Sequence, residues 1–160
     1  YAEGNLENTF HMWLPVTGFI SDETYFLRPD PDTTVTEPGN AEGVLTFSGY
    51  DARNGSIWYD SGRGYTRNGR IKPDLAAPAV EDLRGRVTTL TGSSAAAALG
   101  AGACALLLEW GIVRGNVPAM DSITIQRYLI RGANRLNIFD YPNKTWGYGS
   151  LDLYDAFRSV

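Results

Sequence analysis

The chain has 160 residues, 43% of them hydrophobic and 20% charged, which is enough for the core of one soluble globular unit. Its formal net charge of −4 argues against nucleic acid as a main partner, and its single cysteine, Cys104, excludes an internal disulfide. There is no signal-peptide pattern, and a start at Tyr1 without Met reads as a piece of a longer chain.

In chain order, Asn8 to Ile20 mixes aromatic and aliphatic residues in partial alternation and is expected to be a strand, with Pro15 at its edge or end. His11, the sole histidine, falls in it and reads as a half-buried strand residue. Ser21 to Asn40 is rich in Pro, Asp and Thr and is loop-like, with Thr33 to Thr36 as a short strand. Asp30 and Asp32 read as a solvated acidic turn rather than a calcium site, since they lack the spacing of a known one. Gly43 to Asp51 is a strand suited to a parallel sheet. Asn54-Gly55 then turns the chain into a second strand, Ser56 to Tyr59. Asp60 to Arg70 is a polar, Gly-rich loop. Its arginines Arg63, Arg67 and Arg70, together with Lys72, are flanked by aspartates and read as solvated. Arg86 to Thr91 forms a short strand.

The most informative stretch is Thr91 to Trp110, TGSSAAAALGAGACALLLEW. From Ala95 to Leu108 every residue is small or aliphatic, and the first charge is Glu109. The run predicts a helix over Ala95 to Glu109, apolar on every face and therefore buried all round. It falls short of the roughly 18 residues a membrane span needs, so a central core helix fits it better. Cys104 lies inside it as a structural thiol. Ser94 stands at its N-terminus, where unpaired N–H groups and the helix dipole favour negative charge. A hydroxyl there acts as a helix cap or as a nucleophile whose oxyanion meets ready donors. The α/β-hydrolase nucleophile elbow does not apply, because Ala96 stands where that motif needs Gly. Beyond the helix, Val117 to Asp121 is a turn. Asp121 or Ser122 caps a second helix running to about Leu136, with Ile123, Arg127, Ile130 and Asn134 on one stripe and Ile125, Leu129 and Ala133 on a neighbouring one. An aromatic loop, Phe139 to Trp146, precedes a short segment at Gly149 to Leu153 and a final helical turn or two from Tyr154 to Val160.

Three stretches in fixed order carry a family resemblance. Gly92-Ser93-Ser94-Ala95-Ala96-Ala97-Ala98, with Gly102 beyond, resembles the Gly-Thr-Ser-x-Ala-x-Pro motif of the subtilisin-like serine proteases, peptidase family S8. Lys72-Pro73-Asp74-Leu75-Ala76-Ala77-Pro78 resembles that family's Lys-Pro-Asp loop, and Trp146 to Leu153 its closing Gly-x-Gly segment. Glu109 to Asn116 and Ser61 to Thr66 look most like clostridial members, including the germination proteases of spore formers. The resemblance covers roughly Thr34 to Val160. Ser93 replaces Thr, Ala98 replaces the motif Pro, and Ala79 replaces a Gly, at the loss of easy access to positive φ.

The resemblance implies an α/β fold, the C-terminal portion of a parallel-sheet three-layer catalytic domain. Residues 34–160 would be its core and 1–33 an insertion or strand-loop region. It implies that Ser94 is the nucleophile of a serine endopeptidase that uses no cofactor, acting on a peptide or protein substrate. The family's chain order is Asp, then His, then Ser, and only the Ser motif has a match here. Asp60-Ser61-Gly62 looks like the signature of the catalytic Asp but lies in the wrong place, and His11 lacks the motif of the base. Gly4-Asn5 has the dipeptide of the family's oxyanion Asn in a different setting. The expectation is therefore an inactive fragment whose partner is the missing N-terminal half of the same protein, with an exposed sheet edge that invites pairing between copies. Neither nucleic acid nor membrane is expected as a partner. A pseudoprotease used for signalling or binding is the alternative. A bacterial, extracellular or spore-associated setting follows from the resemblance alone.

Overall fold

The computed structural model describes residues 10–15, 18–82 and 89–159. The chain divides into two compact units, Tyr1–Asp30 and Pro31–Val160.

In the first unit the described residues 10–15 and 18–30 form no strand. The expected strand over Asn8 to Ile20 is therefore absent where it is described. Phe10 to Leu14 are exposed, His11 included. The imidazole stacks on the Trp13 indole, with ring centroids 5.6 Å apart and 14° between planes. An aromatic-rich run makes a strand only where a neighbouring sheet takes up its alternate side chains, and exposure on both sides removes that support.

The second unit is built on a four-stranded mixed sheet in the order β2-β1-β3-β4. Strand β1 is Phe47–Asp51, β2 Ser56–Ile57, β3 Leu75–Asp82 and β4 Thr89–Thr91. β1 and β3 run parallel, with Phe47 opposite Leu75 and Gly49 opposite Ala77. The register slips between Tyr50 and Asp51, just past Pro78. Proline has no N–H to give the ladder, so a bulge beside it is a natural place for the slip. β1 turns at Asn54-Gly55, where Gly55 has φ 72°, into antiparallel β2. The β2 side of β1 is closed further along by two bonds. The Gly49 carbonyl accepts from the Trp58 N–H (2.9 Å), and the Gly49 N–H donates to Ser61 Oγ (2.9 Å).

β3 is the strand that the Lys72 to Pro78 stretch concealed. It pairs on one side with β1. On the other it meets Ser150: the Ala76 N–H donates to the Gly149 carbonyl (2.9 Å), and the Leu151 N–H to the Ala76 carbonyl (2.7 Å). Ala79 lies in this strand, fully buried, so the residue that replaces the family's Gly needs no positive φ. It faces Gly49, where an added Cβ would stand 2.5 Å from the Ala79 Cβ. Thr33 to Thr36, expected as a strand, is a turn and an irregular segment that bonds to Arg63 and Gly64.

Helix α1, Ser93–Leu108, follows β4 at once and continues as a π-helical turn, Glu109–Val113. It packs across β1 and β3. Ala95, Ala96, Gly100, Ala103 and Leu107 are buried. A Cβ on Gly100 would stand 2.3 Å from the Phe47 ring, so the helix lies as close to β1 as the bare backbone allows. Burial covers this face alone. Ala97, Ala98, Ala101, Gly102, Ala105, Leu106 and Leu108 are exposed, as are Ile112 and Val113 beyond. The combined run of 21 residues is long and apolar enough to cross a membrane, and in this fold it lies on the sheet.

Helix α2, Ser122–Gly132, is capped by Asp121, whose carboxylate accepts from the Thr124 N–H (2.8 Å). It ends four residues before the expected Leu136. Ala133 is extended, and Asn134 pairs through its backbone with Ser150 (2.9 Å each way). Helix α3, Leu153–Arg158, crosses α2 where a Cβ on Gly132 would meet the Ala156 N at 2.1 Å. Leu75, Leu107, Met120, Ile125, Leu129 and Ala156 form the core these elements share. The Trp110 indole closes it, edge-on to Tyr128 (6.3 Å) and Phe157 (5.9 Å).

Candidate functional site

Ser94 is the second residue of α1 and is exposed. The approach to it is set by Gly92, with φ 90° and ψ 173°, a backbone that L side chains rarely adopt. The Gly92 N–H donates to the Ala79 carbonyl (2.7 Å), and the Gly92 carbonyl accepts from the Ala95 N–H (3.0 Å). One glycine thus ties the start of α1 to β3 and turns the chain sharply from strand into helix. The N–H groups of Ser93 and Ser94 lie in the first turn, with no helical carbonyl one turn back to engage them. The Ser94 side chain does not cap the helix, and no described residue hydrogen-bonds its hydroxyl. Of the two local readings of this serine, the cap is thereby removed.

Two clefts open at this point. One, of about 390 Å³, is lined by Ser93, Ser94, Ala97 and Ala101 on α1 and by Pro38, Gly39 and Val44 to Phe47 opposite. The other, of about 570 Å³, has Ser93 on one side. Its other walls are Pro31, Thr34 to Gly39, Thr46, Phe47, Tyr59 to Gly62 and Pro73. Both share the Pro38-Gly39 and Thr46-Phe47 wall.

A buried charged group anchors that wall. Lys72 and Asp74 are buried, with Nζ and Oδ2 2.7 Å apart, and Lys72 Nζ also donates to the Val44 carbonyl. The reading of Lys72 as a solvated loop residue is thus corrected: the segment just before β3 is internal, and there the lysine finds an aspartate two residues on and the Val44 carbonyl. Asp74 Oδ2 accepts from the Thr46 N–H (2.7 Å), and Oδ1 from Gln126 Nε2 of α2 (2.7 Å). Thr46 Oγ1 in turn donates to the Gly39 carbonyl. The Lys-Pro-Asp stretch therefore holds the cleft wall against the sheet and α2. The roles of Thr46, Gly39 and Gln126 escaped sequence reasoning; a buried Asp that needs several donors is the signal that could have led to them.

Gly4 and Asn5 lie outside the described residues, and His11 belongs to the first unit. Asp60 is exposed on the rim of the larger cleft. Its charge, together with a hydrogen bond, pushes the Tyr59 phenol above its ordinary value. Ser61, next to it, is a buried structural hydroxyl bonded to Gly49. Burial pushes the Cys104 thiol up, which disfavours the reactive thiolate. Asp32 Oδ2 pairs with Lys144 Nζ (2.5 Å), and no group of three or more metal-ligating side chains stands together among the described residues.

The fold and this site have relatives. The structure of the CspB protease of Clostridium perfringens matches with a TM-score of 0.77 and 38% identity, covering 84% of this chain and 30% of that one. The prenylagaramide maturation protease PagA matches with a TM-score of 0.61 and 25% identity, covering 81% of this chain and 46% of that one. An uncharacterized protein of Aquifex aeolicus (strain VF5) is 36% identical over 87 residues, which are 46% of this chain and 38% of that protein. The chain thus spans less than half the length of each. The resemblance to clostridial subtilisin-like proteases holds, as does the α/β fold it implied. The family model for the subtilases covers residues 2–149, and the chain belongs to that family, peptidase S8.

Proposed function

We propose that Ser94 is the nucleophile of a subtilisin-like serine endopeptidase and that this chain supplies one part of its catalytic domain. The observation that carries the reading is the exposed, uncapped Ser94 at the start of α1, beside two clefts and behind the left-handed Gly92. In the reaction Ser94 Oγ bonds to the scissile carbonyl carbon as its proton passes to a base, and the oxyanion is met by the Ser94 N–H. Collapse breaks the C–N bond, the base hands its proton to the leaving amine, and water then hydrolyses the acyl-enzyme ester. A serine hydroxyl without a base is a poor nucleophile at neutral pH, and no described residue bonds to this one. The chain alone is therefore expected to be inert.

The partner that completes the site is the remaining part of the same protein. The apolar outer face of α1, from Ala97 to Val113, is the surface it would cover. Alone, the chain is expected to self-associate through this uncovered surface.

Labelling with a fluorophosphonate probe tests the reading. The full-length protein is expected to label at Ser94 and to lose the label on Ser94→Ala, while the 160-residue chain labels barely above background. Strong labelling of the isolated chain would mean that a base lies within it. A full-length protein that does not label would be a pseudoprotease.

A further inference from the structure

The larger cleft has a one-sided charge. Its walls carry Glu37 and Asp60 and no lysine or arginine. Six other acids of the second unit, Asp32, Glu42, Asp51, Asp74, Glu109 and Asp155, form ion pairs, whereas Asp121, Asp140 and Asp152 form none with a described residue. Neither Glu37 nor Asp60 forms one with a described residue. The same cleft is lined by Pro38, Phe47 and Pro73, apolar surface of the kind that takes the methylene stem of a long basic side chain while its head stays hydrated. The volume, about 570 Å³, is ample for such a side chain and the waters around its head. Ser93 lines the cleft, so a group seated there belongs to a chain that passes Ser94.

We propose that this cleft receives a lysine or arginine side chain flanking the bond that Ser94 attacks, with Glu37 and Asp60 as its counter-charges. The inference rests on the reading of Ser94 as nucleophile and names the substrate class for it: peptides with a basic residue beside the scissile bond. Both carboxylates are exposed, so the attraction works through a partly hydrated site and weakens with added salt.

The test uses the full-length protein and matched peptides that carry Lys, Arg, Gln, Leu or Glu on either side of the cleaved bond. Lys and Arg peptides are expected to show kcat/KM about tenfold above the Gln and Leu peptides. The Glu37→Gln/Asp60→Asn double variant should bring kcat/KM for the Lys and Arg peptides down to that for the Leu peptide. Normal labelling with no basic preference, or a preference that survives the double variant, overturns the proposal and leaves the nucleophile in place. If the full-length protein does not label, the same peptides are titrated as ligands by fluorescence anisotropy. Basic peptides that bind about tenfold more tightly, and lose that margin in the double variant, support the cleft assignment; equal binding of all five overturns it.

Discussion

The two sides of α1 have the same composition and opposite surroundings. Toward the sheet, Ala95, Ala96, Gly100, Ala103 and Leu107 lie against β1 and β3, and the region beyond has even its charges satisfied, with Lys72, Asp74, Thr46 and Gln126 bonded to one another. Toward solvent, Ala97, Ala98, Ala101, Gly102, Ala105 and Leu106 are exposed. A helix whose residues are apolar all round has no sequence marker for its inner face. What the difference teaches is that the outer face is written for burial and meets water in this chain. Substitutions that weigh the two sides against each other either sharpen that contrast or break it.

The largest effect is expected at Asp74. Its replacement by Ala strands the Lys72 ammonium in the core and leaves the Thr46 N–H and Gln126 amide without their acceptor. Removing one partner of a buried pair costs about 3–5 kcal/mol, so Asp74→Ala should shift the urea midpoint far down or prevent folding. Lys72→Met, which leaves Asp74 two neutral donors, should cost less. Equal loss in the two variants would show that the pair, and not the strand tie, dominates.

Next come two neighbouring leucines. Leu107 is fully buried and Leu106 is 53% exposed. Leu107→Ala should cost about 2–5 kcal/mol through lost contacts and a cavity. Leu106→Ala in the isolated chain should fall within about 0.5 kcal/mol of the parent. In the full-length protein the Leu106 cost should rise toward that of Leu107 if another segment covers the outer face. Denaturant titration of both proteins decides it, and an unchanged Leu106 value would break the comparison.

Much of this is legible in the amino-acid sequence. The apolar run located α1, Asp121 marked the start of α2, Asn54-Gly55 the hairpin, and the three ordered motifs the family. What was not legible depended on distant partners. β3 hid in a Pro-containing stretch because the partners of its first half, β1 and Ser150, lie 28 or more residues away in sequence. The same distance concealed the burial of Lys72, whose local context is polar. The strand expected around His11 failed for the opposite reason, since its aromatic pattern finds no sheet to pair with among the described residues. At the candidate site, the place of Ser94 at the start of α1 was legible from Gly92 and the apolar run that follows. That Glu37 and Asp60 line one cleft was not, because Glu37 lies in no motif, Asp60 lies in a signature that points to another role, and only the fold brings their loops together.

A smaller effect depends on pH. Hydrogen bonds from the Thr124 hydroxyl and N–H hold the Asp121 carboxyl below its ordinary value of 3.8. A carboxyl lowered in the folded state stabilises it fully above the unfolded value and loses that contribution as pH falls through the folded one. Stability should therefore decline in acid below about pH 4, and the part due to Asp121 should vanish in Asp121→Asn, which still caps the helix but does not titrate over this range. Melting temperatures of the two proteins from pH 7 down to 2 measure it. Parallel profiles would remove Asp121 from the account.

The smallest effect carries the most information about the outer face. Gly102 sits inside α1 with nothing within 4 Å of an added Cβ, whereas Gly100, one half-turn away, is pressed against the Phe47 ring. An exposed glycine within a helix costs about 0.5–1 kcal/mol relative to Ala, because its backbone has more freedom to lose. Gly102→Ala should therefore stabilise the isolated chain by about that amount. If the outer face is covered in the full-length protein, the new methyl must enter a packed interface and the gain should shrink or change sign. Gly102 occupies the glycine position of the Ser motif, so the sign of one substitution, measured in both proteins by denaturant titration, reports whether that glycine serves a contact made elsewhere in the protein. A gain of equal size in both would leave α1 half-exposed in the whole molecule as well.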